Sequence, residues 1–260
     1  MDEAGTTAPS ARHGRERSSR PLWLELVVLL VLAVLCAFLV RTFLAGVYFI
    51  PSGSMENTLR IGDRVVVDKL GYRLHDVHRG DIIVFNGRGS FTTEGDVAPS
   101  PVSPLRRLAQ QLGRAVGAAP PSETDFIKRV IGVPGDRVAC CDAQGRLTVN
   151  GVPLDEPYLY PGNPPSSTRF DVVVPAGRLW VMGDHRDASA DSRSHLGDPG
   201  GGTVPVDRVI GRARVVIWPF GHVKRLPTPA TFGQPALAAG TPAATRSLSG
   251  RAPPRSVVVR

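Results

Sequence analysis

An apolar segment near the N-terminus constrains this chain more than any other feature. Residues 21–40 read PLWLELVVLLVLAVLCAFLV, with Glu25 as the one charged residue. About 20 apolar residues in a helix are enough to span a bilayer. The segment is longer than the apolar core of a cleaved signal peptide, and no A-x-A site follows it closely. We therefore expect a retained transmembrane anchor over residues 21–44.

Basic residues flank this segment unevenly. It is preceded by four arginines, Arg12, Arg15, Arg17 and Arg20. In the next twenty residues the only basic side chains are Arg41 and Arg60. Because positive charge favours the cytoplasmic side of a span, residues 1–20 are predicted to be a cytoplasmic tail. We expect a single-pass protein of the cytoplasmic membrane, with a lipid bilayer as a partner and the rest of the chain on the extracytoplasmic side.

The charge balance is basic, with 31 Lys and Arg against 23 Asp and Glu. The sequence has no zinc-ligand spacing, no RNP pattern and no helix-turn-helix, so we expect no nucleic-acid partner. Much of the excess lies at the C-terminus, where residues 221–260 contain no acidic residue. The Ala/Pro/Arg-rich tail, 227–260, is predicted to be disordered, because it cannot bury enough apolar surface to offset the entropy of ordering.

Three cysteines are too few for a disulfide framework. Cys36 lies in the apolar segment and is interpreted as a small hydrophobic residue. Cys140 and Cys141 are adjacent. A disulfide between neighbouring residues is strained, which favours free thiols or an unusual redox pair and leaves both open.

Residues 45–226 form the body of the chain and read as short strands separated by turns. Runs rich in β-branched residues and bounded by Gly, Pro or Asp predict strands; they are RVVVDKL (64–70), DIIVF (81–85), FIKRVIGV (126–133), RLWVMGD and RVIGRARVVIWPF. The pair Asn150-Gly151 predicts a two-residue hairpin. The predicted fold is mainly β, with antiparallel sheets and barrel-like closure.

An insertion over residues 86–124 interrupts this pattern with a Gly/Pro/Ser-rich composition. Within it, residues 103–117 can form a short basic amphipathic helix, with Ser103 as the cap and Pro104 in the first turn. Such a helix could rest on a membrane surface. A helix packed on the domain, or one that barely forms, agrees with the sequence equally well.

A candidate nucleophile lies shortly after the apolar segment. The stretch IPSGSMENTL (50–59) places Ser52 and Ser54 in a Pro/Gly-rich bend. A serine hydroxyl needs a base to take its proton. By residue type the candidate bases are His75, His78, His185, His195 and Lys128. Lys128 shares a strand face with Phe126 and Val130, and burial there would lower its pKa toward that of a general base at neutral pH. The ordinary alternative is a lysine whose ammonium reaches water.

Several separated stretches together resemble the conserved boxes of the bacterial type I signal peptidases, which use a Ser/Lys dyad. They are PSGSMENTL (51–59), RGDIIVF (79–85), FIKRVIGVPGD (126–136) and GDHRDASADSR (183–193), in this order behind the apolar segment. The resemblance is specific because independent motifs match in order over roughly residues 22–220. It implies a membrane-anchored serine endopeptidase that removes signal peptides from exported preproteins, cutting after Ala-x-Ala-type sites through an acyl-enzyme. We expect no cofactor and a monomer.

The resemblance also implies roles for individual residues. Ser54 corresponds to the nucleophile and Lys128 to the general base. The hydroxyl of Ser52 and the N–H of Ser54 correspond to the oxyanion hole, and Ser189 to the serine that orients the lysine. Supporting charged residues are Asp184, Arg186, Asp191 and Arg193. The residues that correspond to the lining of small apolar substrate pockets are Tyr48, Ile50, Pro51, Met55, Leu59, Phe126 and Ile127.

The sequence also permits other interpretations. His185 stands where the family often has Asn, which raises a rival Ser54–His185–Asp triad, although the family's mechanism needs no histidine. The spacing of Asp184, Asp187 and Asp191 lacks the ligand pattern of a calcium loop, so we expect no metal site. Self-cleaving SOS-type repressors share Ser/Lys chemistry but carry a DNA-binding head. A membrane-anchored β-domain that only binds exported proteins or cell wall is the non-enzymatic alternative.

Overall fold

The computed structural model describes three stretches of the chain, residues 22–39, 45–91 and 124–239. The predicted cytoplasmic tail, the amphipathic helix at 103–117 and residues 240–260 therefore lie outside the described residues. The apolar segment begins the described part as helix α1 (Leu22–Leu39). Among the described residues, no helix combines the length and the hydropathy needed to cross a membrane.

The rest of the described chain is mainly antiparallel β structure, which confirms that prediction. Two short helices, α2 (Gly71–Leu74) and α3 (Pro235–Ala239), accompany the strands. The strands are β1 (Ala45–Phe49), β2 (Arg64–Asp68), β3 (Ile82–Asn86), β4 (Asp125–Gly132), β5 (Arg137–Cys140), β6 (Leu147–Val149), β7 (Val152–Pro153), β8 (Phe170–Val173), β9 (Arg178–Met182), β10 (Val204–Pro205), β11 (Val209–Trp218) and β12 (Lys224–Arg225).

The strands form two sheets. The larger runs β1-β2-β11-β3-β4-β9-β10, with β12 also paired to β11, and the smaller runs β7-β6-β5-β8. In the described part of the chain β1 and β10 remain open edges, so the predicted barrel-like closure is not observed. Among the described strands, each end strand is paired on one side alone, β1 with β2 and β10 with β9, so the two ends of the larger sheet do not meet. Ile131, Trp180 and Met182 of the larger sheet pack against buried side chains of the smaller one, so the two sheets share one core cluster.

The predicted hairpin is present between β6 and β7, which pair through Val149 and Val152. Asn150 and Gly151 have φ angles of 53° and 80°. A type I′ turn requires positive φ at both central residues, and Asn-Gly provides this at the lowest cost. The local sequence therefore sets this turn without help from distant contacts.

The prediction of disorder from residue 227 onward is wrong for residues 227–239. These residues form a 3₁₀ turn at Ala230–Gly233 followed by α3. Phe232 and Leu237 are buried in the same core cluster as Trp180. Two well-placed apolar side chains thus supply the burial that the average composition of the tail lacks.

A disulfide joins Cys140 and Cys141, so of the two alternatives left open by the sequence the structure shows the redox pair and not the free thiols. Cys140 ends β5 and is buried in a core cluster, and Cys141 packs against the same cluster. Cys36 is exposed on α1.

Candidate active site

Ser54 lies in a 3₁₀ turn, Gly53–Met55, that connects β1 to β2. Hydrogen bonds from Glu56 N–H to the Gly53 carbonyl (2.9 Å) and from Leu59 N–H to the Met55 carbonyl (2.7 Å) close this turn, which we call the Ser54 turn. Met55 and Leu59 are fully buried in the core cluster beneath it. Burial of these two apolar side chains anchors the turn from the core side, and their contribution to a substrate pocket stays a prediction.

Lys128 reaches Ser54 from β4, where it is almost completely buried. Its Nζ lies 2.7 Å from Ser54 Oγ and 3.1 Å from the carbonyl oxygen of Ile127. Burial lowers the pKa of Lys128 to about 8, although Asp191 and Asp184 oppose that change. With this pKa roughly a tenth of the amine is uncharged at pH 7, far more than for an ordinary lysine, and the Ser54 hydroxyl can donate its proton to that neutral form.

An ion pair between Asp191 and Arg193 lies behind the lysine. Arg193 Nε and Nη2 donate to the two oxygens of Asp191 at 2.9 and 2.8 Å. Gly183 N–H donates to the same carboxylate at 3.0 Å. Burial alone would raise the pKa of Asp191, but these donors keep it below its ordinary value. The carboxylate therefore stays charged and opposes full loss of charge by the nearby lysine.

Ser189 is also brought to this cluster, but it does not hold the lysine. Its hydroxyl is buried and close enough to Asp191 to help lower the pKa of that carboxyl. No well-formed hydrogen bond to Ser189 Oγ is found among the described residues. The hydrogen bonds of Lys128 go to Ser54 and Ile127 instead.

Residues 183–185 pack directly on the Ser54 turn. His185 N–H donates to the Ser54 carbonyl at 3.1 Å. A Cβ atom at Gly183 would overlap both that carbonyl oxygen and Ser189 Oγ. Glycine is therefore required at position 183 for this close approach of two backbones.

The contacts of the His185 ring are with Glu56 and Tyr160, and none with the Ser54 hydroxyl is found in the described part of the chain. Its Nδ1 lies 3.1 Å from a Glu56 carboxylate oxygen, and the ring stacks on Tyr160 with centroids 4.0 Å apart. Ser54 Oγ contacts Lys128. This geometry supports the Ser/Lys arrangement over the rival triad.

Arg129 is a supporting residue that the sequence interpretation missed. It is buried on the opposite face of β4 from Lys128, and its Nε and Nη2 donate to Asp184 at 2.8 and 2.6 Å. Its guanidinium lies 4.1 Å from the centroid of the Tyr158 ring. The Thr58 hydroxyl donates to the same carboxylate, so Asp184 connects β4 to the Ser54 turn. The available signal was a charged residue in a strand buried on both faces, which needs a partner.

Arg186 is likewise buried and paired with a residue that was missed, Glu156. Arg186 Nη2 donates to Glu156 at 2.5 Å, and its Nε donates to the Gly183 carbonyl at 2.9 Å. The Tyr158 hydroxyl donates to the same glutamate at 2.6 Å. These contacts fix the loop that carries Asp184 and Asp191.

The three acidic residues with the spacing compared to a calcium loop each have a different partner. Asp184 pairs with Arg129, and Asp191 with Arg193. Asp187 accepts a hydrogen bond from Asn163. In the described part of the chain, no group of three or more His, Cys, Asp or Glu could hold a metal ion.

The remaining predicted site residues differ in exposure. Pro51 and Ser52 are exposed at the entrance of the turn, Tyr48 and Phe126 are half-buried, and Ile50 and Ile127 are buried. Burial, together with the charge of Asp125, raises the pKa of Tyr48 to about 12. The ring is therefore neutral at physiological pH and offers an apolar surface.

Comparison with known proteins gives consistent matches. A family model described as "Signal peptidase, peptidase S26" matches residues 23–218. A probable signal peptidase I of Mycobacterium leprae is 44% identical over 247 residues, covering 84% of each chain. A signal peptidase I of Mycobacterium tuberculosis is 45% identical over 214 residues, 75% of this chain and 72% of the relative. A crystal structure of a signal peptidase I from Enterococcus faecalis V583 matches at 25% identity and a TM-score of 0.32, covering 53% of this chain and 97% of that one.

Proposed function

The chain belongs to the signal peptidase, peptidase S26, family of serine endopeptidases, whose function is signal-peptide removal, and from this premise we propose that Ser54 and Lys128 are its catalytic dyad. The single observation that carries the proposal is the 2.7 Å contact between Lys128 Nζ and Ser54 Oγ. It is supported by the burial that lowers the pKa of this lysine to about 8. A positioned nucleophile and a base of matched pKa are the two requirements of this chemistry.

The reaction follows from this geometry. Neutral Lys128 accepts the Ser54 proton while Ser54 Oγ attacks the carbonyl carbon of the residue before the cleavage site. The Ser52 hydroxyl and the Ser54 N–H stabilise the resulting oxyanion. Protonated Lys128 then gives its proton to the leaving amine, which leaves an acyl-enzyme. Lys128, neutral again, then activates a water molecule that hydrolyses this ester and frees Ser54.

The substrate binds as an added β-strand in this proposal. Residues 125–128 of β4 pair with β3 on one side, whereas pairing with β9 begins at Arg129. Among the described strands, none occupies the other edge of residues 125–128, which lies beside Ser54. An extended peptide can use such an edge for backbone hydrogen bonds. Tyr48, Phe126 and Ile127 then border small pockets that favour the Ala-x-Ala pattern.

We also propose that α1 anchors the protein in the membrane with residues 1–20 in the cytoplasm. The large apolar side chains described on α1 are exposed, for example Trp23 at 64% and Leu26 at 67%. Its 18 residues correspond to about 27 Å, less than the roughly 30 Å of a hydrocarbon core, so the proposed anchor needs the longer segment 21–44.

A second exposed apolar region supports a position at the bilayer. Phe49 on β1 and Trp218 on β11 both pair with Arg64 of β2, so the three project from one face of the sheet. Phe220 packs edge-to-face on Trp218 and is 80% exposed. We call Phe49, Trp218 and Phe220 the outer apolar surface. Because Phe49 lies five residues before Ser54, this surface would hold the catalytic site near the membrane.

Cleavage of a preprotein with an Ala-x-Ala site by the full chain in detergent tests the dyad. Ser54→Ala and Lys128→Ala should each lose activity by at least about a thousandfold, because nucleophile and base act as one unit. Exposed Ser194 and partly exposed Lys69 provide matched controls, and Ser194→Ala and Lys69→Ala should keep near-normal rates. Turnover retained by Ser54→Ala would overturn the assignment of the nucleophile.

A further inference from the structure

Basic side chains lie within and beside the outer apolar surface. Arg64 is placed between Phe49 and Trp218 by the strand register. Arg225 on β12 pairs with Val215, and Val215 pairs with Val66, which is two residues from Arg64 in β2. Arg225 therefore lies on the same face of the sheet as Arg64. Arg60 lies in the turn before β2. These three arginines, which we call the basic rim, are exposed.

The basic rim is not neutralised by acidic side chains in the part of the chain that the structure describes. Arg214, on the same sheet, pairs with Asp68 at 3.3 Å, but Arg60, Arg64 and Arg225 have no such partner there. This leaves three permanently charged guanidinium groups around exposed aromatic rings.

Asp63, which precedes Arg64 in the chain, is directed inward. It is buried, accepts a hydrogen bond from the backbone N–H of Arg60 at 2.8 Å and faces His222 Nδ1 at 2.9 Å. Burial and the charge of Arg60 lower the pKa of Lys224, while Asp63 opposes this. Positive charges are therefore close enough here to repel one another, which is the condition under which an external anion is attracted.

We propose that Arg60, Arg64 and Arg225 bind the phosphate groups of anionic lipids and thereby dock the outer apolar surface onto negatively charged bilayers. A bilayer fits this surface because aromatic side chains and arginines alternate on one face, as at the boundary between acyl chains and headgroups. Guanidinium groups match phosphate oxygens in bidentate geometry. The inference rests on the proposed membrane anchoring, which brings this face to the lipid.

The tryptophans of the chain allow a direct test. There are three, Trp23, Trp180 and Trp218. In a Trp23→Phe background, Trp180 is fully buried and Trp218 is 44% exposed, so quenching by brominated phosphatidylcholine reports contact of Trp218 with lipid. The full chain is reconstituted in vesicles of phosphatidylcholine alone or of an equal mixture with phosphatidylglycerol.

Quenching of Trp218 should be stronger in the anionic vesicles. Each basic residue near such a surface strengthens membrane binding about fivefold, so Arg64→Gln should weaken docking by about that factor. Replacing all three rim arginines by Gln should reduce quenching to the level seen in phosphatidylcholine alone. Arg208→Gln is the matched control: Arg208 is exposed but lies at the opposite end of β11 from Trp218, and its loss should change nothing.

Flotation of the vesicles separates the two proposals. A chain that floats with both vesicles but shows equal Trp218 quenching in them would overturn the role of the basic rim and leave the anchor in place. A chain that floats with neither vesicle would overturn both. If Arg208→Gln lost as much Trp218 quenching as Arg64→Gln, docking would depend on the net charge of the protein and not on the basic rim, and the proposal would be overturned.

Discussion

Lys128 is buried beside Ser54, and this burial lowers its pKa to about 8 from the ordinary value of 10.5. The opposing charges of Asp191 and Asp184 keep the pKa from falling further. Burial and the two carboxylates therefore change the pKa of Lys128 in opposite directions, and their balance sets the fraction of neutral lysine at a given pH. The Asp191–Arg193 pair contributes through this balance without needing to touch substrate.

This balance predicts the pH dependence of cleavage. Only the neutral amine can accept the Ser54 proton, so kcat/KM should rise with pH and level off above an apparent pKa of about 8. Asp191→Asn removes a charge that raises the lysine pKa and should shift the rising limb to lower pH. A pH–rate profile of wild type and variant measures both. A limb that stays in place in Asp191→Asn would contradict this electrostatic account.

His185 offers a second test at the scale of a single residue. His185→Asn keeps the backbone N–H that binds the Ser54 carbonyl, and its amide can still reach Glu56. We expect kcat/KM within about tenfold of wild type, since loss of a general base typically costs 10²–10⁴-fold. The rising limb of the pH profile should remain near that of wild type. A variant as inactive as Lys128→Ala would instead support the triad.

At the scale of the element, β4 carries both the proposed base, Lys128, and the buried Arg129. Its register with β3 places Lys128 opposite Ile83, and the alternation of side chains sends Arg129 to the other face. Arg129 pairs there with Asp184, whose loop is also fixed by Arg186. The strand therefore positions the dyad because both of its faces are packed.

The Arg129–Asp184 pair predicts a non-additive effect on stability. Arg129→Met leaves the buried Asp184 carboxylate unpaired and should lower the free energy of unfolding by about 3–5 kcal/mol. The double variant Arg129→Met, Asp184→Leu removes both charges and should be more stable than Arg129→Met alone. Chemical denaturation of the full chain in detergent measures the cycle. Additive losses would show that the two groups do not depend on each other.

At the scale of the whole molecule, the chain returns to its core after the last strand. The 3₁₀ turn at Ala230–Gly233 and α3 place Phe232 and Leu237 against the cluster that also contains Ile131 of β4. Residues far beyond the last family-like motif thus help hold the strand that carries Lys128.

This packing predicts that the segment after residue 226 is part of the folded unit. Phe232→Ala should destabilise the protein by about 3–5 kcal/mol, because a large buried ring is lost. Phe220→Ala, at a site 80% exposed, is the matched control and should change stability by less than about 0.5 kcal/mol. Thermal unfolding followed by circular dichroism compares them. Equal melting temperatures for Phe232→Ala and wild type would place residues 227–239 outside the folded unit.

The local features of this protein could be predicted from sequence, because they depend on neighbours along the chain. Strand runs, the Asn150-Gly151 turn and the apolar segment are local patterns, and the motifs around Ser54 and Lys128 indicated the family. The burial of Lys128 was also suggested by its apolar neighbours in β4. Each of these signals lies within about ten residues of the feature it predicts.

Tertiary structure decided what depends on residues that are distant along the chain. In two buried ion pairs the partners lie far apart in the sequence, so no local pattern could predict the pairing; they are Arg129–Asp184 and Arg186–Glu156. Burial of Met55, Leu59 and Phe232 was likewise set by packing from other strands. The reason is that periodicity along the chain shows which face of an element is apolar. It does not show which surface covers that face or which charged residue pairs with a buried charge, because both depend on contacts between distant segments.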